Sequence, residues 1–172
     1  MRKNFKFIIL VFIAFIVISC ASSKTNKITK AKEYTSKELS VDAIFLDACT
    51  QKELGNMDKA IELYDKVIAL DPNYASAYFD KGSILFNKKE VNTSIELTKK
   101  AINLQPKNIW YRLQLIQIYL NLSDFENAAK WYEELIKLRP DVIEYYQELA
   151  EVYNQKGVGF VPAPFCKYYY AR

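Results

Sequence analysis

Three stretches of the sequence share one pattern: AIELYDKVIALDP at residues 60–72, SIELTKKAINLQP at 94–106 and AAKWYEELIKLRP at 128–140. Each stretch ends in proline, and the three prolines, Pro72, Pro106 and Pro140, recur at one constant interval. In each stretch a small residue stands twelve positions before the proline. A fixed period of this length indicates a chain built from repeated structural units that stack on one another.

The prolines set the boundaries of the units. With each proline at position 32, the full units are residues 41–74, 75–108 and 109–142. A fourth unit starts at residue 143 and stops after its first helix, so that it covers 143–157. The remaining 158–172 departs from the repeat and is expected to be an irregular tail.

Each unit carries two amphipathic helical stretches. In the second helix of the first unit, Ala60, Tyr64, Val67 and Ile68 recur at the spacing that places them on one helix face. Gly55 and Asn56 are expected to end one helix and cap the next. We therefore predict an all-α fold, with helices at 41–53, 57–70, 75–88, 91–104, 109–121, 125–138 and 142–156.

The 34-residue period with small residues at positions 8 and 20 resembles the tetratricopeptide repeat (TPR). Position 8 is small in Ala48, Gly82 and Ala150, whereas Ile116 departs from the pattern and is expected to loosen the packing of its unit. Position 20 is small in every full unit (Ala60, Ser94 and Ala128). The resemblance implies a right-handed superhelix (an α-solenoid) of about three and a half helix-turn-helix repeats.

In this family the first helix of each unit lines a concave groove that binds protein segments. The residues that the resemblance places in the groove are aromatic, apolar or amide-bearing: Phe45, Phe79, Phe86, Trp110, Leu113, Gln114, Gln117 and Asn121. Trp110 and Phe86 are the hardest of these to bury within the solenoid, whereas Phe45 and Leu113 are as well suited to the seams between helices. The carboxylate clamp found in some relatives requires Lys and Asn where this chain has Phe45 and Cys49, so binding of chaperone C-termini is not implied.

The composition argues against several kinds of catalytic or binding site. The 172 residues contain no His, which removes His-dependent triads and His metal ligands. The three Cys are too scattered for a disulfide scaffold. With 24 basic and 20 acidic residues, the chain has no broad basic surface for nucleic acid. We expect no enzymatic activity, no cofactor and no metal.

The first twenty residues resemble a bacterial lipoprotein signal peptide. A short basic start is followed by an unbroken apolar run at residues 7–18, which is too short to cross a bilayer as a helix. The run ends in VISC at 17–20, similar to the lipobox in which the cysteine is acylated after cleavage. We therefore expect a signal peptide at 1–19, lipidation of Cys20, and membrane attachment through that residue.

Residues 20–40 are rich in Lys and poor in large apolar side chains, as is typical of a solvated tether. Ala21, rather than Asp, follows the cysteine, which points to the outer membrane of a diderm bacterium, within a bacterial cell envelope. The leading hypothesis is a membrane-anchored scaffold that binds a peptide or protein segment in its groove. The alternative is the N-terminal fragment or accessory module of a larger repeat protein whose missing C-terminal part carries an enzymatic or sensory activity.

Overall fold

A computed structural model describes residues 36–157 of the protein. In this part of the chain every element of regular secondary structure is an α-helix, and it contains no strand. Its seven helices are α1 (Ser36–Glu53), α2 (Met57–Leu70), α3 (Ala75–Asn87), α4 (Val91–Leu104), α5 (Ile109–Asn121), α6 (Phe125–Leu138) and α7 (Ile143–Gln155). Each helix packs against the next one in the chain, and α3 also contacts α5, so the helices stack as a solenoid.

The first helix is longer than the sequence pattern predicts. It starts at Ser36 rather than at residue 41 and so takes in the end of the expected tether. No Gly or Pro interrupts the chain between Ser36 and Gly55, and Lys, Glu and Leu are good helix formers. The repeat pattern sets where the packed face begins, whereas local propensity carries the helix further towards the N-terminus.

The turn that follows the first helix of each unit has the same backbone conformation. Gly55, Lys89, Ser123 and Gly157 stand at equivalent places in successive units and have φ values of +81°, +69°, +56° and +77°. In each full unit the next amide closes the turn, as where the Asn56 N–H donates to the Gln51 carbonyl at 2.9 Å. Lys89 and Ser123 adopt a left-handed conformation that is costly for residues other than glycine, so the turn is imposed by the packing of the helices.

The expected side-chain cap at Asn56 is wrong in detail. Asn56 occupies the N-cap position of α2, but its side chain makes no capping hydrogen bond. Its Nδ2 instead donates to Gln51 Oε1 at 2.9 Å, across the turn. A side-chain cap is present in the third unit, where Asp124 Oδ1 accepts from the Asn127 N–H at 3.1 Å.

In the first two units the paired helices pack closely at the small positions. Ala48 and Ala60 are fully buried in the first unit. In the second, Ser94 Oγ donates to the Gly82 carbonyl at 2.7 Å, and a Cβ at Gly82 would lie 3.3 Å from the Ser94 carbonyl oxygen. In the third, Ile116 takes the small position, and α5 contacts α6 less extensively than the equivalent helices contact each other in the first two units.

Successive units are joined by a hydrogen bond to the carbonyl of each proline. Tyr78 Oη donates to the Pro72 carbonyl at 3.1 Å, and Tyr146 Oη donates to the Pro140 carbonyl at 3.3 Å. At the equivalent place in the third unit, Arg112 Nη1 donates to the Pro106 carbonyl at 2.6 Å. The bond ties the first helix of each unit to the loop that leads into it.

The apolar core runs through the solenoid as two clusters. One centres on Tyr64 and Val67, between the first and second units. The other centres on Leu115, Tyr132 and Leu135, in the third unit and against α7. Among the helices of the described region, none combines the length and the apolar character that spanning a bilayer requires.

The close approach at Gly82 gives a stability prediction. Gly82→Val should lower the free energy of unfolding by about 2 kcal/mol, because the added side chain meets Thr98 Oγ1 and the Ser94 backbone, which cannot withdraw freely. Urea unfolding measures the change. Ser83→Val, at the half-exposed neighbouring position, is the control and should have a much smaller effect. Equal effects of the two substitutions would show that the helices are not held together at Gly82.

Candidate functional site

The residues that the resemblance places in the groove lie on α1, α3 and α5, the first helices of the three full units. Phe45, Phe79 and Leu113 occupy position 5 of successive units, one in each. Because α3 contacts α5 directly, these positions belong to neighbouring helices of one surface. We call the surface formed by the eight groove residues the candidate surface.

The three position-5 residues are packed between helices. The Phe45 ring centroid lies 4.9 Å from that of Tyr74, and the Phe79 centroid lies 4.8 Å from that of Tyr111. Leu113 packs against the third-unit core. All three remain half-buried, so their main contribution is to hold adjacent helices together while one edge of each faces outward.

Trp110, by contrast, is 65% exposed. It lies in the first turn of α5, where its backbone N–H bonds to Asn108 Oδ1 at 3.1 Å, so the capped helix end fixes its backbone. Phe86, near the end of α3, is half-buried, as the three position-5 residues are. Among the aromatic residues of the candidate surface, Trp110 is therefore exposed, whereas Phe45, Phe79 and Phe86 are half-buried.

Leu46 is a member of this face that the sequence analysis missed. It occupies position 6 of the first unit, equivalent to Asp80 and Gln114, and its side chain is 68% exposed. The repeat register could have placed Leu46 in the groove, because Gln114 is assigned to the groove at the same position of the third unit. Leu46 extends the apolar character of the candidate surface to α1.

The amide side chains of the candidate surface differ in their accessibility. Gln117 and Asn121 are exposed, and Asn121 Nδ2 donates to the Gln117 carbonyl at 2.7 Å. Both amide atoms of Gln114 are shielded from solvent and have no hydrogen-bond partner among the described residues. Gln117 and Asn121 are thus available to a ligand, whereas the Gln114 amide carries an uncompensated desolvation cost.

The junction between the first and second units contains an ion pair that has no counterpart at Gln114. There Lys52 Nζ donates to Asp80 Oδ1 at 2.6 Å in a largely buried ion pair. Burial opposes the charge of Lys52, but the hydrogen bond and the charge of Asp80 outweigh it and raise the pKa of Lys52. In the next junction Phe86 takes the position of Lys52 and Gln114 that of Asp80, so no such pair forms there.

Cys49 lies beside this ion pair and has a structural environment. Tyr64 Oη donates to Cys49 Sγ at 3.6 Å, and burial together with this bond raises the pKa of the Tyr64 hydroxyl. The thiol is half-buried on α1. No cluster of three or more side chains suited to a metal ion occurs among residues 36–157.

The fourth unit changes the charge of the face. Glu144, Glu148 and Glu151 of α7 are exposed, at positions 2, 6 and 9 of the repeat. Burial of Tyr132, with a smaller effect from the charge of Glu148, raises the pKa of its hydroxyl to about 12. The apolar and amide-bearing surface of the first three units is therefore followed by an acidic one.

The buried amide of Gln114 gives a second stability prediction. Gln114→Leu, a change of similar size, should raise the free energy of unfolding by about 1 kcal/mol or more, because it removes two buried polar atoms that have no partner among the described residues. Chemical denaturation measures the gain. Gln117→Leu, one turn further along on the exposed side, should change stability by less than about 0.5 kcal/mol. A destabilising Gln114→Leu would show that the amide is satisfied in the folded protein.

The repeat units match known proteins in both sequence and structure. The sequence profile described as TPR repeat matches residues 51–89, and the one described as Tetratricopeptide repeat matches 75–108 and 114–142. Tetratricopeptide repeat protein 6 of Homo sapiens is 31% identical over 55 residues. That alignment covers 32% of this chain and 11% of the human protein, so the chain spans only a small part of that relative.

Two solved structures illustrate the likeness of fold. The crystal structure of MamA superposes with a TM-score of 0.63 at 27% identity, covering 75% of this chain and 74% of MamA. The first TPR of Spaghetti (RPAP3), solved with the HSP90 peptide SRMEEVD, has a TM-score of 0.59 at 20% identity, covering 68% of this chain and 93% of that one. The profiles together cover about half of the 172 residues, in register with the helix pairs seen here. The chain therefore belongs to the tetratricopeptide repeat family.

Proposed function

We propose that this protein is a membrane-anchored, non-enzymatic scaffold that binds a segment of a partner protein on the candidate surface. The observation that carries the proposal is the 65% exposure of Trp110 on a helix whose other large apolar side chains are buried or half-buried. An exposed indole adds nothing to the core. Aromatic anchors of this kind supply much of the energy of protein–protein binding.

The neighbours of Trp110 suit an extended or helical peptide. Leu46 adds exposed apolar surface and Phe86 a half-buried ring, while Gln117 and Asn121 offer amide donors and acceptors for a peptide backbone. The packed residues Phe45, Phe79 and Leu113 fix the spacing of the helices beneath them. Packed side chains therefore hold the helices beneath the surface in place, while exposed side chains remain accessible to a partner. A surface that is already ordered lowers the entropic cost of binding.

The chemistry differs from that needed to hold an acidic peptide end. The Spaghetti (RPAP3) repeat was solved with an HSP90 peptide, but at 20% identity that likeness concerns the fold alone. In this chain Phe45, Cys49, Trp110 and Gln114 occupy the positions at which clamp-type relatives carry basic and amide ligands. We therefore propose a partner segment with apolar or aromatic side chains.

The proposed membrane attachment depends on Cys20, which lies outside the described residues. It is supported by the short apolar run that ends in VISC and by the polar sequence that follows. Acylation would place the repeats at the surface of a bacterial envelope membrane, the outer membrane in a diderm cell. More than one acyl chain is needed for stable anchoring, as lipoprotein processing provides.

Substitution of Trp110 tests the binding surface. Trp110→Ala should weaken partner capture about tenfold or more, because removal of a central aromatic anchor costs about 2 kcal/mol or more. Its melting temperature should change little, since the ring lies mainly in solvent. Capture from solubilised membranes is quantified by mass spectrometry against Leu122→Ala, which removes an exposed apolar residue outside the candidate surface.

Fluorescence provides a separate readout of the same residue. The chain has two Trp, so Trp131→Phe leaves Trp110 as the single emitter. Its emission should be readily quenched by iodide in the free protein and protected when a captured partner is present. Unchanged capture by a folded Trp110→Ala protein, together with unchanged quenching, would place the binding surface elsewhere.

Substitution of Cys20 tests the anchor independently. Wild-type protein expressed in a diderm bacterium should incorporate labelled palmitate and be cleaved before Cys20, whereas Cys20→Ser should remain an unlabelled precursor. Cys49→Ser is the matched control, because it removes a thiol of the repeat domain and should keep the label. Absence of label in the wild type would refute lipidation.

A further inference from the structure

The acidic residues of α7 all lie at groove positions of the repeat. Helix α7 contains Glu144, Glu148 and Glu151 and no basic residue. These residues take positions 2, 6 and 9 of the fourth unit, which in the third unit belong to the candidate surface. Their spacing of four and three residues places them on one helix face, and all three side chains are exposed.

Helix α7 joins the solenoid in the same orientation as the first helices of the preceding units. Tyr146 Oη donates to the Pro140 carbonyl at 3.3 Å, the same bond to a proline carbonyl that is made in the second and third units. Leu149, at position 7, is buried in the same core cluster as its equivalent Leu115 of α5. The carboxylates at positions 2, 6 and 9 therefore face the same way as the residues of the candidate surface.

The negative charge of α7 is not neutralised within residues 36–157, where none of the three carboxylates forms an ion pair with a basic residue. Glu151 accepts a hydrogen bond from Gln155 Nε2 at 3.0 Å, which leaves its charge in place. On α3, by contrast, Asp80 is paired with Lys52. The groove positions of α5 carry no charged side chain. The face therefore changes from uncharged on α5 to strongly negative on α7.

This arrangement of carboxylates has a cost for α7. Like charges that are three or four residues apart on a helix repel each other and destabilise it. Glu148 lies between Glu144 and Glu151 on the same face, so it is repelled by both. A partner that brings positive charge to this face would relieve the repulsion and gain an electrostatic attraction at the same time.

We propose that the partner segment has two parts: apolar or aromatic residues that contact Trp110, and Lys or Arg residues at one end that bind the carboxylates of α7. This rests on the function proposed above and specifies the chemistry of its partner. Exposed ion pairs add little affinity each, so α7 determines mainly which segments bind and in which direction they lie. An acidic segment is repelled by α7, and a neutral one gains nothing from it.

Selection from a random library of phage-displayed peptides, with the full chain as bait, tests this partner chemistry. Peptides selected on the wild type should combine an apolar or aromatic part with Lys or Arg at one end. A triple variant with Glu144→Gln, Glu148→Gln and Glu151→Gln should still select the apolar part but no longer enrich basic residues. Trp110→Ala should lose the enrichment of apolar and aromatic residues.

A second triple variant is the matched control. Glu62→Gln, Glu90→Gln and Glu96→Gln remove the same amount of charge from exposed positions on and beside α2 and α4, outside the candidate surface, and should leave the enrichment of basic residues unchanged. No basic enrichment on the wild type, or equal enrichment on both triple variants, would overturn the inference. The proposed scaffold function would still stand in that case if selection depended on Trp110. Failure to select any peptide would overturn both.

Charge exchange with synthetic peptides provides a second test. One selected peptide is made in its basic form and with Glu in place of each Lys and Arg, and binding is measured by fluorescence anisotropy. The wild type should bind the basic form about tenfold more tightly, because several exposed pairs of opposite charge act together, and added salt should reduce the difference. A variant with Glu144→Lys, Glu148→Lys and Glu151→Lys should prefer the acidic form, and circular dichroism checks that it is folded. A folded variant that still prefers the basic form would show that the basic residues bind elsewhere and that the inference is wrong.

Discussion

The close approach of two helices within each unit is the constraint on which the rest of this solenoid depends. In the second unit Ser94 Oγ donates to the Gly82 carbonyl at 2.7 Å, and a Cβ at Gly82 would lie only 3.3 Å from the Ser94 carbonyl oxygen. That contact fixes how far apart the two helices lie. It therefore also fixes the left-handed turn that joins them and the face that each pair offers to the next. Lys89 adopts an unfavourable positive φ because the close packing of the two helices requires this turn.

In the third unit the constraint of close helix approach is weaker, and the effects are found on α5. Ile116 replaces the small residue, and α5 and α6 contact each other less extensively. On the same helix the Gln114 amide and Arg112 Nε are buried without hydrogen-bond partners among the described residues. Trp110, the most exposed aromatic of the candidate surface, lies on this helix as well. Unfavourable packing and the proposed binding residue thus coincide, as is common where a surface is kept for a partner rather than for stability.

Much of the fold could be predicted from sequence because the determining features are local and periodic. Prolines, small residues and the amphipathic spacing indicate where helices lie and which faces meet. The start of α1 could not be predicted, because the repeat pattern indicates only the residues that pack against other helices. It gives no information on a helix that continues beyond those residues. The role of Asn56 could not be predicted either. Its side chain could bond to the backbone at the start of α2 or to Gln51 across the turn, and the sequence pattern does not distinguish the two. For the candidate surface, the repeat register predicted which helix face the residues occupy but not how exposed each side chain is. Whether Phe45 is packed depends on the ring of Tyr74, which comes from the loop between α2 and α3.

The junctions between units show that the repeat encodes a hydrogen bond rather than a residue type. Tyr78 and Tyr146 donate hydrogen bonds from their hydroxyl groups to the proline carbonyls that precede them, and Arg112 makes the same bond with a guanidinium. The substitution has a cost. Burial lowers the pKa of Arg112, Glu134 opposes this only in part, and Nε is left without a partner among the described residues. The guanidinium nevertheless donates to the Pro106 carbonyl at 2.6 Å, so the hydrogen bond to the proline carbonyl is kept in spite of the cost of desolvating the donor. Stacking geometry is thus preserved through the third unit, and Trp110 and Gln117 keep the positions that their equivalents hold in the units before it.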